Sequence, residues 1–112
     1  MTVRQRAALA VTADPKLINE LRGCEPGIEI TGSIPRARKI AHDRPMIIVG
    51  ADLATRLRKP IAGAGLVVLA AIDLGDGRAL GAAPRIAATY VIILPTARQW
   101  LIDQLRQQGA AG

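Results

Sequence analysis

Phenylalanine is absent from this chain, and Tyr90 and Trp100 are its only aromatic residues. The core must therefore be aliphatic, and there is no aromatic platform on which bases could stack in series. Cysteine occurs once, at Cys24, which excludes an internal disulfide. With one histidine, His42, there is no Cys/His cluster to hold zinc and only one candidate general base of that type. His42 lies in a basic segment with no nucleophile–carboxylate set to join, and it reads as a surface side chain. No apolar run approaches the ~18 residues of a membrane-spanning helix. The apolar part of "MTVRQRAALAV" is too short for a secretory leader, so a soluble cytoplasmic domain is the expectation. Nucleotide motifs are missing too: "GAG" at 63–65 precedes a strand-like run instead of following one, and GxxxxGK[ST] does not occur. No cofactor and no metal are expected.

What is present is aliphatic and basic. Of the 112 residues 50% are hydrophobic and 21% charged, the balance of one globular domain with one core. The net charge of +6 is uneven, since eleven of the fifteen Lys and Arg fall in residues 1–60. Seven of them lie between Arg36 and Lys59, against Asp43 and Asp52 alone. Arg36, Arg38, Lys39, Arg56, Arg58 and Lys59 form a candidate basic patch. They read as the solvated faces of two helices, or as a contact for nucleic acid, an acidic membrane surface or an acidic partner.

Strand-like and helix-like segments alternate five times. "AALAVTA" (7–13) reads as a buried strand, followed by a helix capped by Asp14, with Pro15 at its first position and a stop at Gly23. "GIEITG" (27–32) is a short strand suited to an edge. A second helix is expected from Ser33 or Ile34 to Asp43, with Ala37, Ile40 and Ala41 inward. "MIIVG" (46–50) has the unbroken apolar character of a central strand, and Asp52 is expected to cap a short helix ending before Pro60. "GLVVLAAI" (65–72) is the fourth strand, and residues 73–89 hold a short or irregular fourth helix interrupted by Gly81 and Pro84. "TYVIILP" (89–95) is the fifth strand, and Thr96 with Gln99 reads as a capping box opening a last helix to Gln108.

This pattern predicts an α/β fold: a five-stranded parallel sheet of flavodoxin-like order 2-1-3-4-5 with helices on both faces. Any site belongs at the carboxyl ends of strands 1 and 3. A receiver-type phosphoryl site there needs paired acids after strand 1 for Mg²⁺ and a nucleophilic aspartate ending strand 3. It also needs a hydroxyl after strand 4 and a lysine after strand 5 to hold the charged group. After strand 1 the chain offers one acid, Asp14, which reads as a helix cap. Gly50 stands where strand 3 ends, alanines occupy 70 and 71, and Leu94 precedes Pro95 where the lysine belongs. Asp14, Gly50, Asp52, Ala70 and Leu94 are thus the vestigial positions of such a site, and no catalytic residue is assigned.

Three stretches carry a family resemblance: "VTADPKLINEL", "PRARKIAHDRPMIIVGADLA" and "ATYVIILPTARQWLIDQL". The last is the most specific, an apolar strand and Leu-Pro followed by a helix with a Trp-Leu pair. Over residues 7–108 the chain resembles the amino-terminal pseudo-receiver domain of septum-site-determining (Ssd) proteins. These are relatives of the CpaE/TadZ pilus-localisation proteins and of MinD-type ATPases. The resemblance implies a pseudo-receiver domain at 1–108 and a linker stub at 109–112, with the ATPase domain of a parent chain beyond. It also implies a non-enzymatic role in localisation, homodimerisation or control of that ATPase, through partners at a septum or cell pole, in cell division or in pilus and secretion assembly. The implied contact surface is the 76–106 region, with Arg85, Tyr90, Arg98 and Trp100; for Trp100 a core position is the favoured reading. An atypical phosphorylatable receiver and a basic nucleic-acid-binding module are the alternatives, nucleic acid being the less expected partner.

Overall fold

The computed structural model describes residues 8–42, 44–62, 65–72 and 81–110. Five strands form the sheet: β1 (Leu9–Val11), β2 (Glu29–Thr31), β3 (Met46–Gly50), β4 (Leu66–Ala71) and β5 (Tyr90–Ile93). The helices are α1 (Pro15–Cys24), α2 (Ile34–Ile40), α3 (Ala51–Ala54) and α4 (Arg98–Ala110). The strand order is β2-β1-β3-β4-β5, and every pairing is parallel, as the sequence pattern predicts.

The unbroken apolar runs follow from burial on both sheet faces. Along β1, β3 and β4, Leu9, Val11, Ile47, Val49, Val67 and Leu69 point to one face. There they meet Ala37 of α2, Leu53 of α3, and Ala82 and Ile86. Ala10, Met46, Ile48, Val68 and Ala70 point to the other, against Leu17 and Leu21 of α1 and Leu101 of α4. With no phenylalanine available, both layers are closed by branched aliphatic side chains.

Two helix starts follow the sequence. The Asp14 carboxylate accepts from the Lys16 amide at 3.0 Å, with Pro15 opening α1. The Ser33 hydroxyl accepts from the Arg36 amide at 3.2 Å. Each such cap stabilises its helix by about 1 kcal/mol.

Elsewhere the structure corrects the sequence reading. Helix α2 stops at Ile40 instead of running to Asp43, which lies outside the described residues. Its carboxyl end is closed by Arg44, whose Nε donates to the Ile40 carbonyl at 3.0 Å while its guanidinium pairs with Glu29 at 2.7 Å. Arg44 is only 6% exposed, so this charge of the basic segment is structural. Helix α3 is a single turn, extended by tight turns in which Arg56 donates to Leu53 and Leu57 to Ala54. Thr96 and Gln99 do not form a capping box, because α4 starts at Arg98 and the Gln99 amide reaches forward to Asp103 at 3.0 Å. The Leu94–Pro95 bond ahead of that helix is cis. Most of the expected fourth helix lies outside the described residues, and its visible end, 82–87, is a series of turns.

Candidate functional site

The carboxyl ends of β1 and β3 are adjacent, since Val11 pairs with Val49. Thr12 follows Val11 and is buried, with 1% of its surface exposed. Its hydroxyl donates to Asp52 Oδ1 at 2.7 Å, and the Ala13 amide donates to Oδ2 at 2.8 Å. The Thr12 oxygen in turn accepts from the Asp14 amide at 3.1 Å. Both oxygens of Asp52 are therefore engaged across the cleft, by a segment 40 positions earlier in the chain.

This corrects the reading of Asp52 as a helix cap. The cap position of α3 is Gly50, with no side-chain bond, and the Asp52 carboxylate turns away from its own helix to latch onto the loop after β1. Being in the first turn of α3, it still lies where the positive end of the helix favours a carboxylate.

The latch fills the space beside Gly50. A β-carbon built there meets Asp52 Oδ1 at 2.5 Å, Thr12 Oγ1 at 2.6 Å and Thr12 Cβ at 2.7 Å. The Gly50 backbone, at φ −70° and ψ 147°, is open to any residue, so what holds glycine there is steric. Ala70 is Gly50's neighbour on β4, and Leu94 is fully buried in the layer under α4. Asp14 caps α1 through its own Oδ1. Among the described residues no group of three or more His, Cys, Asp or Glu converges. Asp52 is bonded to Thr12 and Ala13 and Asp14 to its own helix, so neither is set as one of the paired acids of a receiver's Mg²⁺ site.

The remaining candidates separate into two places. Tyr90 and Trp100 pack edge to face with ring centroids 4.9 Å apart, Tyr90 being 44% exposed and Trp100 half-buried against the layer beneath α4. Arg98 pairs with Glu20 at 2.5 Å, joining α4 to α1. Arg85 is not tied to that surface: its Nε donates to the Leu57 carbonyl at 2.6 Å and its guanidinium to Ala54 at 3.4 Å, beside the end of α3. Arg38 joins α2 to the same region by donating to the carbonyls of Pro60 (3.1 Å) and Lys59 (3.4 Å). Arg36, Lys39, Arg56, Arg58 and Lys59 are exposed.

Sequence reasoning missed Thr12 as a partner of Asp52, and Glu29 as the partner of Arg44. No local pattern announces either pair, because each joins segments brought together only by parallel strand pairing.

A parallel 2-1-3-4-5 sheet with its polar latch at the ends of β1 and β3 defines a receiver-like domain. The chain belongs to the Rv3660c-like, CheY-like N-terminal domain family, whose model matches residues 11–112. Its structure is similar to that of a response regulator from Thermotoga maritima, with a TM-score of 0.61. That likeness covers 96% of this chain and 99% of the other at 11% sequence identity, which speaks for the fold alone. No curated protein matches the sequence.

Proposed function

We propose that this is a non-catalytic pseudo-receiver: an interaction and regulatory domain that keeps the receiver scaffold and cannot accept a phosphoryl group. The observation that carries the reading is the filled space beside Gly50, where the Thr12 and Asp52 side chains leave no room for a β-carbon. Leu94 and Ala70 supply hydrocarbon where the reaction needs a cation and a hydroxyl.

The finer reading is that of a septum-site-determining or CpaE-like protein. The domain then acts in localisation, in dimerisation or in control of a MinD-like ATPase domain of the same parent chain, in cell division or in pilus and secretion assembly. Recruitment to a septum or cell pole is part of that reading. The exposed Tyr90 and Val91 on the outer strand β5, with Trp100 beside them, favour a homodimer contact at this edge. That β5 is bonded only to β4 supports the same choice, since an outer strand leaves backbone groups to pair.

The test is incubation with acetyl phosphate and Mg²⁺, read by intact mass and by sedimentation. Mass and self-association are expected to stay unchanged. A gain of about 80 Da, one phosphoryl group, that disappears in Asp52→Ala would make the domain an atypical phosphorylatable receiver instead.

A further inference from the structure

Beside the end of α3, on the sheet face opposite α1 and α4, lies a surface cavity of about 270 Å³ lined by Thr55, Arg56, Leu57, Arg58 and Arg85. We infer that it is a docking site for an acidic peptide segment of a partner protein, with aspartate or glutamate side chains seated against Arg56, Arg58 and Arg85. The inference goes beyond the pseudo-receiver reading and holds whether or not the domain is phosphorylated.

Charge is the first argument. The two ion pairs among the described residues, Arg44–Glu29 and Arg98–Glu20, both lie elsewhere. The acid nearest in sequence to Arg56 and Arg58, Asp52, is held by Thr12 and Ala13. Among the described residues, no carboxylate lines the cavity beside its three arginines. Three like charges around one concavity raise the local concentration of an anionic partner.

Preorganisation is the second. Arg85 is fixed by the Leu57 and Ala54 carbonyls through two of its five N–H donors, which leaves the rest of its fork for a ligand. Arg38 fastens α2 to the Lys59 and Pro60 carbonyls, so the chain leaving the cavity is anchored as well.

The surroundings favour a peptide over nucleic acid. Nucleic-acid binding draws on a track of phosphate contacts and on stacking faces. The two aromatic residues of the chain are instead packed on each other at β5 and α4.

Anisotropy of fluorescein-labelled octaglutamate at low ionic strength tests the site on the intact chain. The wild type is expected to bind. Arg56→Glu with Arg58→Glu is expected to weaken binding by about tenfold or more, as for a lost charge-complementary contact. Arg36→Glu with Lys39→Glu, the same change of charge placed on α2, is expected to weaken it by less than about twofold, the effect of net charge alone. All four residues are exposed, so unchanged melting curves establish that the variants fold. No binding by the wild type, or equal loss in both variants, overturns the site. So does tighter binding of random single-stranded DNA that is lost in the Arg56/Arg58 variant, which makes the cavity a nucleic-acid contact.

Discussion

Replacing Gly50 with alanine is expected to destabilise the domain by about 3 kcal/mol, the upper range for forcing an extra carbon into a filled space. For a domain of this size that lowers the melting temperature by roughly 13 °C. The sign is informative because the backbone effect alone runs the other way. At φ −70° and ψ 147° the residue is in extended backbone, where Gly→Ala ordinarily stabilises by about 0.4–1 kcal/mol through the unfolded chain. Opposing this are three contacts of 2.7 Å or less, to Asp52 Oδ1, Thr12 Oγ1 and Thr12 Cβ. Thr12, buried directly after β1 with its amide bonded to the Thr31 carbonyl, cannot retreat cheaply, so sterics win.

A double-mutant cycle separates the latch from general crowding. In an Asp52→Ala background the tightest contact is gone, and Gly50→Ala is expected to cost at least about 1 kcal/mol less than in the wild type, a coupling usual for touching side chains. The rescue is partial because Thr12 Cβ stays in place. An identical cost in both backgrounds, measured by urea unfolding, would show that the carboxylate does not fill that space.

The second large effect is at Leu94, the position where a phosphate-binding lysine belongs. Leu94→Ala is expected to lose about 3 kcal/mol, within the usual range for a fully buried leucine. The side chain has no exposed surface and packs in the layer with Ile48, Val68 and Leu101. Val91→Ala, three residues earlier on β5 and 43% exposed, serves as the control, with a change within about 0.5 kcal/mol. A small loss at Leu94 would mean that this end of β5 is open, as a ligand-binding position would be. Urea titrations of the two variants decide it.

The fold was legible because its signals are local and redundant. Long apolar runs at 46–50 and 65–72 with no polar alternation read as strands covered on both faces, and five strand–helix units in succession fit the flavodoxin-like order. The caps at Asp14 and Ser33 were legible for the same reason, since a cap and its amide donor sit two or three residues apart. So were the places of Gly50, Ala70 and Leu94 at or next to the ends of β3, β4 and β5.

What the sequence hid is what the sheet assembles. Asp52 sits at the start of a helical turn and looks in the sequence like its cap, yet its partners are Thr12 and Ala13 across the sheet. Arg44 sits in a basic run and looks solvated, but Glu29 of β2 draws it under cover. Arg85 is close in sequence to Tyr90, while the turn at 82–87 sends it to the opposite side, against α3. In each case a long-range partner outbid a local one, and one sequence gives no sign of that.

On the proposed reading, the Thr12–Asp52 latch closes the phosphoryl site of the receiver scaffold. Titration of the chain with beryllofluoride and Mg²⁺, followed through backbone amide NMR shifts, tests it most directly, because beryllofluoride imitates a phosphoryl group on a carboxylate. The amides of Thr12, Ala13, Gly50 and Ala70 are expected to stay where they are. Saturable shifts confined to those strand ends would contradict the account.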